Sequence, residues 1–413
     1  MAARTAAPPT GLTLDRARSH GDAACGNRLV HGENLAALRW LGADFEGRFD
    51  CIYLDPPFNT GRTFAEYKDA RSTGEWREMM HARLLGMKPL LSETGAIFVE
   101  IDDTELGHLQ GLMDEVFRAK NRISTVTIVR SAPTGHKAKN VGPVNTTDYL
   151  LVYAKNRATF RYVPQFRPRQ GYDRAYGTFL INREDPPAEW RFEPLAARAA
   201  VALGYGSRRL AVSALGKDGF ARAMERFALE SSESVVRFAQ PRYEAVSKEA
   251  RASIDRSRKN PDEVLFLARK GWKPMILRAG NRLLFLSDKV RFDGRAKVIV
   301  EPLTNVWNDV PFQGIAKEGG VVFSRNKKPE RLLARILAMT TREGDWVLDP
   351  FLGSGTTAAV AHKMGRRWVG IEEGAHFDAL CLPRLRRVVD GKDPTGVTRA
   401  AGWTGGDGFA VYA

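Results

Sequence analysis

The run Cys51-Ile52-Tyr53-Leu54-Asp55-Pro56-Pro57-Phe58-Asn59-Thr60-Gly61 decides how the rest of the chain is read. Four apolar residues stop at a carboxylate and two prolines, the pattern of a buried parallel strand that ends at the rim of a sheet. The prolines set φ and carry no N–H, so the backbone after Asp55 is stiff and offers carbonyl acceptors. Acceptors held rigidly beside the ring of Phe58 are suited to gripping the NH2 of a planar base while the ring stacks on its face. The same tetrapeptide also fits a plain Asp-Pro-Pro turn after any strand, so the surrounding sequence has to choose between the two.

Upstream, residues 28–32 read as a short strand, and Leu35, Leu38 and Leu41 recur at helical spacing, so strand, helix and the strand into Asp55 form a βαβ unit. Downstream, residues 61–74 are polar and suit a loop that closes over a substrate. Residues 76–91 then read as an amphipathic helix with Met79, Met80, Leu84, Met87 and Leu91 facing inward, and 95–101 as another buried strand. Asp102, Asp103 and Glu105 stand where a helix over 105–117 begins, so capping is the expected role of these acids. Residues 123–129 and 149–153 read as a hairpin at the end of the sheet.

The chain has 413 residues, 43% of them hydrophobic, which allows two or three domains and a sizeable core. No run approaches the roughly 20 apolar residues of a membrane span, and residues 1–21 lack the apolar segment of a secretory signal, so a cytoplasmic location without membrane contact is expected. Cys25, Cys51 and Cys381 lie far apart with no C-x-x-C pair, which predicts neither a disulfide nor a metal site. The net charge of +15 implies either a polyanion as partner or a merely solvated basic surface.

Beyond Asn156 the βα alternation stops. Arg157, Arg161, Arg167, Arg169 and Arg174 stand against one acid, Asp173, with Phe160, Tyr162, Phe166 and Tyr172 interleaved. Guanidinium groups hold phosphates and aromatics meet bases, so these arginines are the candidate nucleic-acid contacts. The irregular zone runs to about residue 301, with helical stretches at 194–203, 219–227 and 242–258 and a hairpin within 275–285. A charged, solvated insertion with no ligand is the alternative.

Regular alternation returns with a strand expected at 321–324 and a helix at 330–339, with Pro329 in its first turn. Then comes Asp345-Trp346-Val347-Leu348-Asp349-Pro350-Phe351-Leu352-Gly353-Ser354-Gly355-Thr356-Thr357. Trp346 to Leu348 read as a buried strand, Gly353 and Gly355 let the backbone pass close to a ligand, and a helix follows over 357–363. The next strand, 368–372, ends in Glu372, placed as a carboxylate that hydrogen-bonds a ribose would be. A dinucleotide dehydrogenase is the usual rival for such a loop, but no third glycine falls in register here.

Asp55-Pro56-Pro57-Phe58 resembles the catalytic signature of the DNA amino-methyltransferases, and Asp349 to Thr357 resembles their S-adenosylmethionine loop. Catalytic signature first, insertion next and cofactor loop last is the permuted order called the β class of that family. His31-Gly32-Glu33-Asn34-Leu35, Thr146-Thr147-Asp148-Tyr149, Trp307-Asn308-Asp309 and Gly405-Gly406-Asp407-Gly408-Phe409 further resemble the modification subunits of type III restriction systems and their solitary relatives. The likeness covers roughly residues 27–158 and 303–412.

The resemblance implies an α/β fold: a Rossmann-like, doubly wound, circularly permuted methyltransferase sheet with an inserted target-recognition domain. The expected segments are a flexible tail (1–24), a catalytic half (25–158), the target-recognition domain (159–302), a cofactor-binding half (303–392) and a C-terminal extension (393–413). The implied reaction is methyl transfer from S-adenosylmethionine to N6 of a flipped adenine in DNA, with Asp55, Pro56, Pro57 and Phe58 catalytic. N4 of cytosine, an RNA amino group, or a non-catalytic nucleic-acid-binding subunit are the alternatives. On the cofactor side the resemblance points to Asp349, Phe351, Gly353, Ser354, Gly355, Thr356 and Glu372, with Glu33 or Asn34 at the adenine end. Glu33 stands where the family often has Asp, and of the family's methionine-side motif only Lys328 and Pro329 match. DNA, a second copy of the chain and a cognate restriction subunit are the partners the resemblance allows.

Overall fold

The computed structural model describes residues 11–63, 68–132, 142–169, 171–294, 296–322 and 327–413. The chain forms two compact units, one of residues 1–165 and 304–413 and the other of residues 166–303.

The first unit is built on one ten-stranded sheet. Its elements are β1 (Leu14–Gly21), β2 (Arg28–His31), α1 (Asn34–Phe45), β3 (Phe49–Leu54), α2 (Thr73–Leu90), β4 (Leu91–Ile101), α3 (Leu106–Met113), β5 (Arg122–Val129) and β6 (Thr147–Ala154). After the second unit come β7 (Val306–Trp307), α4 (Glu330–Thr340), β8 (Trp346–Asp349), α5 (Thr356–Lys363), β9 (Arg367–Glu372), α6 (Leu382–Val389) and β10 (Gly408–Tyr412). The strand order is β1-β10-β2-β9-β8-β3-β4-β6-β5-β7.

Strands from the two ends of the chain alternate at the centre. β8 pairs in parallel with β9 on one side and with β3 on the other, with Val347 opposite Cys51 and Leu348 opposite Ile52. The permuted doubly wound order expected from sequence is therefore the order found. β6 runs antiparallel to both β4 and β5, as the hairpin reading required.

Side chains alternate across the sheet with period 2, which sorts β3 into two layers. Ile52 and Leu54 belong to one buried cluster with Leu38 and Leu41 of α1, Met80, Leu84 and Met87 of α2, and Leu109 of α3. Cys51, on the opposite face, meets Thr340 at the end of α4. Helices thus cover both faces, and a strand enclosed on both sides reads as the unbroken apolar run seen at 51–54.

Local chemistry sets the helix ends. Glu33 caps α1 by accepting from the Ala36 N–H at 2.8 Å. Ser72 and Glu75 make a reciprocal capping box at the start of α2. Met79 is only partly buried, and Leu91 opens β4 instead of closing the helix.

Four expectations are corrected. The expected flexible tail (1–24) contains β1, an edge strand whose partner β10 lies at the far end of the chain, so no local pattern announces it. Val321 and Val322 are outside any strand, and the remainder of the strand expected at 321–324 lies outside the described residues. The helix expected over 105–117 ends in a wide turn at Asp114–Arg118. The acids at 102–105 do not cap α3: Asp102 accepts from the Thr104 N–H at 2.9 Å, and Glu105 carries no side-chain cap bond.

The second unit is ordered where sequence showed an irregular zone. Its six-stranded antiparallel sheet runs Phe192–Pro194, Thr178–Leu180, Val235–Ala239, Asn281–Phe285, Trp272–Arg278 and Leu265–Arg269. Helices Leu195–Ala202, Arg208–Glu230 and Lys248–Lys259 accompany it, the second broken at Gly216, where φ is 71°. Its main core gathers Tyr176, Phe179, Leu195, Val235, Leu286 and Ile299. Residues 166–303 hold 27 Lys and Arg against 17 Asp and Glu, so two-thirds of the net charge of +15 sits in this third of the chain. Among the described residues no helix is long and apolar enough to cross a membrane.

Ile52 is fully buried between β8 and β4. Ile52→Ala is expected to lower the free energy of unfolding by about 2–5 kcal/mol in urea titrations, the cost of a cavity that the sheet cannot close.

Candidate active site

β3 and β8 are parallel neighbours, so the turns that follow them emerge at the same rim. Asp55 leaves the end of β3 and Asp349 is the last residue of β8. Between the two turns lies a cavity of about 400 Å3 lined by Asp55, Pro56, Phe58, Asp349, Gly353 and Glu372, among others. The acid-proline corner and the glycine bend, nearly 300 residues apart in sequence, share one site at the C-terminal ends of parallel strands, where open α/β sheets bind ligands.

The acid-proline corner is held from behind. The indole N–H of Trp76, fully buried in α2, donates to the Pro57 carbonyl at 2.7 Å. Asn59 takes a left-handed φ of 61° and donates to the buried Glu105 carboxylate at 2.7 Å, while its own oxygen accepts from the Arg71 N–H at 2.8 Å. Glu105 also accepts from the Thr73 hydroxyl at 3.2 Å and pairs with the His108 ring at 2.8 Å. Of the acids read as caps, Glu105 therefore serves the loop that follows Asp55.

Beside this corner lies a buried charge cluster. The Lys328 ammonium is 3.0 Å from Asp55 and 2.7 Å from Glu100, which is wholly buried and accepts from the Tyr53 hydroxyl at 2.7 Å. Lys328 also lies 4.9 Å from the Phe58 ring centroid, within cation–π range. Asp148 of β6, buried as well, pairs with Arg130 at 3.0 Å. Burial pushes Asp55 up to about 7, with Lys328 pulling it down and Glu100 adding to the rise. Burial likewise raises Asp148 to about 7 against the pull of Lys328. For Lys328 burial acts downward but is outweighed by Asp55, Glu100 and Asp148, so its net shift is upward and it stays charged.

On the other wall, Asp349 organises the glycine bend. One carboxylate oxygen accepts from the Phe351 N–H at 2.9 Å and the other from the Thr357 hydroxyl at 2.6 Å. Burial raises Asp349 to about 7 despite these bonds. Gly353 and Gly355 have φ of 57° and 82°, and a Cβ on Gly355 would meet the Cys381 sulfur at 3.2 Å. Glu372 accepts from the Gly353 N–H at 2.7 Å and the Gly374 N–H at 2.8 Å, with His376 at 3.2 Å. Burial would raise this carboxyl, but His376 and the two amides overcome it and its shift is downward, so Glu372 is an anion at neutral pH.

The DNA methylase family matches residues 49–380. The chain belongs to this family. The methylase is 32% identical over 420 residues to the probable type III restriction-modification enzyme HindVI Mod subunit of Haemophilus influenzae, covering 94% of this chain and 53% of that protein. It therefore spans about half the length of that curated relative. It is 24% identical over 388 residues to the type II methyltransferase M.EcaI of Enterobacter cloacae, covering 90% of this chain and 71% of that protein. The solved PvuII DNA methyltransferase (cytosine-N4-specific) aligns with a TM-score of 0.42 at 12% identity, over 87% of this chain and 86% of that one.

Of the residues singled out from the methylase sequence, Asp55, Pro56, Pro57, Phe58, Asn34, Lys328, Asp349, Phe351, Gly353, Ser354, Thr356 and Glu372 line this cavity. Gly355 lies just behind it as the N-cap of α5. Lys328, which the resemblance places on the cofactor side, lies 3.0 Å from Asp55. Glu33 is exposed and engaged as the α1 cap and in an ion pair with Arg83 at 2.6 Å, while Asn34 donates to the Pro350 carbonyl at 3.0 Å.

The five arginines divide between the two units. Arg157 and Arg161 belong to the first unit and Arg167, Arg169 and Arg174 to the second. Arg157 donates to the Arg122 carbonyl, Arg161 pairs with Asp345, Arg167 with Glu301 and Arg169 with Asp173, while Arg174 is exposed. Charge counting along the sequence could not see these acids, because each except Asp173 is remote in the chain.

Sequence reasoning also missed Tyr53, Glu100, Asp148, Trp76 and Arg384. A glutamate in the apolar run at 95–101 was the available signal, since a buried acid demands a partner. Arg384, fully buried, donates to Thr356 at 2.7 Å and pairs at 2.8 Å with Glu330, which Lys363 also meets at 2.8 Å. Arg384→Met leaves Glu330 short of one cation and removes a support of the glycine bend. A loss of about 3–5 kcal/mol in urea unfolding is expected, as for breaking a buried ion pair.

Proposed function

We propose that this chain transfers a methyl group from S-adenosylmethionine to N6 of an adenine swung out of duplex DNA. The observation that carries the reading is the shared cavity, with a half-buried carboxylate acceptor on one wall and a glycine bend pinned by Glu372 on the other.

The cavity suits the cofactor. Its volume of about 400 Å3 falls in the range of small-molecule sites. The positive-φ glycines bring bare backbone to the rim, where the amino-acid end would lie, near Ser354 and Thr356. An ionised carboxylate has about four acceptor positions. The three partners of Glu372 leave capacity for a ribose hydroxyl. Bound there, the cofactor supplies an electrophilic methyl on a sulfonium.

The residues of the chain then act on the base. An exocyclic amino nitrogen conjugated to its ring is a weak nucleophile. Hydrogen bonds from it to the Asp55 carboxylate and the Pro56 carbonyl favour a tetrahedral nitrogen whose lone pair is available. Transfer would form the nitrogen–carbon bond as the donor's carbon–sulfur bond breaks with its electron pair left on sulfur, and Asp55 would receive the proton that the nitrogen releases. Phe58 stacks on the extruded base, since the reacting atom is out of reach inside a duplex. The basic unit at 166–303 supplies the attraction to phosphate and the surface that selects the target.

Adenine is favoured over cytosine by Asp in the first position of Asp55-Pro56-Pro57-Phe58, which in the resembled family leans to N6. The HindVI relative is named as a Mod subunit, which supports a modification role here, with a restriction subunit as the partner proposed for the whole protein.

Asp55→Ala is expected to abolish methyl transfer to DNA while leaving S-adenosylmethionine affinity, read by calorimetry, within about threefold of wild type. Transfer by D55A at the wild-type rate would overturn the catalytic assignment. Mass spectrometry of nucleosides from treated DNA should show N6-methyladenine; N4-methylcytosine in its place would redirect the substrate to the other amino base.

A further inference from the structure

Glu100 poses an electrostatic question that methyl transfer leaves unanswered. It sits on β4 with no exposure, and its two oxygens meet the Tyr53 hydroxyl and the Lys328 ammonium. A buried carboxylate without a cation is strongly unfavourable. Glu100 therefore fixes where the Lys328 ammonium must be. The backbone agrees, because Pro329 follows directly as the N-cap of α4 and restricts Lys328 to extended geometry. With one bond committed to Glu100, the ammonium at that point stands 3.0 Å from Asp55.

We propose that Lys328 is the positioning residue of the amino-group acceptor: anchored on the buried Glu100–Tyr53 pair, it holds the Asp55 carboxylate ionised and aimed into the cavity. The proposal rests on the methyl-transfer reading only for its kinetic consequence; the ion-pair geometry stands without it.

Among the described residues, the charged and titratable groups around Asp55 are Tyr53 on its own strand, Glu100 from β4, Asp148 from β6, Arg130 after β5, Asp349 from β8, and Lys328. With Asp55 itself included, four carboxyls face two cations. Lys328 is the cation in contact with Asp55, and without it burial and the remaining acids would drive Asp55 toward its neutral form. A neutral Asp55 loses acceptor strength and cannot take the amino proton. Asp55 is raised above its ordinary value, so the active, ionised form is lost as pH falls through about 7 in the wild type. Removing Lys328 moves that loss to higher pH. Removing the charge of Glu100, which raises Asp55, moves it to lower pH.

The test uses the full chain with Lys328→Met and Glu100→Gln, and two readouts. Carbon-13 NMR of the Asp55 carboxyl, assigned with Asp55→Asn and recorded without methyl donor, should show a midpoint at least about one pH unit higher in K328M and lower than wild type in E100Q. The acid limb of kcat against pH should move in the same two directions, with K328M about tenfold slower at neutral pH and recovering as pH rises. K328M and E100Q titrating at the wild-type midpoint would overturn the proposal, as would a K328M defect equal at every pH. If K328M does not fold, the sign of the E100Q shift decides alone. NMR midpoints that move as stated while no form of the protein methylates DNA would sink the methyl-transfer reading and leave this one standing.

Discussion

The parallel pairing of β3 with β8 is the constraint on which the molecule turns. Val347 opposite Cys51 and Leu348 opposite Ile52 align two strands whose residues are almost 300 positions apart, and both strands end in turns that begin with a carboxylate. Closing so long a chain segment is entropically unfavourable, but the cost grows only as the logarithm of its length. The basic unit at 166–303 can therefore occupy the gap without weakening the sheet, because it brings its own core.

That pairing creates an electrostatic difficulty. Asp55 and Asp349 both come to the rim, and Asp55 adds to the rise of Asp349. The chain answers in two ways. At Asp349 it uses hydrogen bonds from a backbone amide and a hydroxyl, and at Glu372 two backbone amides together with His376. At Asp55 it uses an ammonium, tied down by a second, wholly buried carboxylate. Amide donors are rigid and suit a wall that cradles a ligand. A cation can share its acceptor with a further donor.

Support for the rim reaches into parts of the chain that look unrelated to it. Glu105, at the start of α3, holds Asn59; Trp76 of α2 holds Pro57; Arg384 of α6 holds Ser354 and Thr356 and is itself held by Glu330 of α4. Each support is a buried polar group that would be unfavourable unless paired, so satisfying it also locks the loop it touches.

The sequence by itself determined the strand that stops at Asp55, the glycine bend after Leu348, the permuted strand order and the helices over the sheet. These are written in local periodicity and in residues with few backbone options. Only the tertiary structure decided that Lys328 belongs to Asp55 and Glu100, that Leu14–Gly21 is an edge strand, and that most of the five arginines are engaged within the chain. It also decided that residues 166–303 form a sheet of short antiparallel strands. The physical reason is common to all four: ion pairs and edge pairings join residues far apart in sequence. A charge or a three-residue strand carries no mark of its partner until the chain has folded.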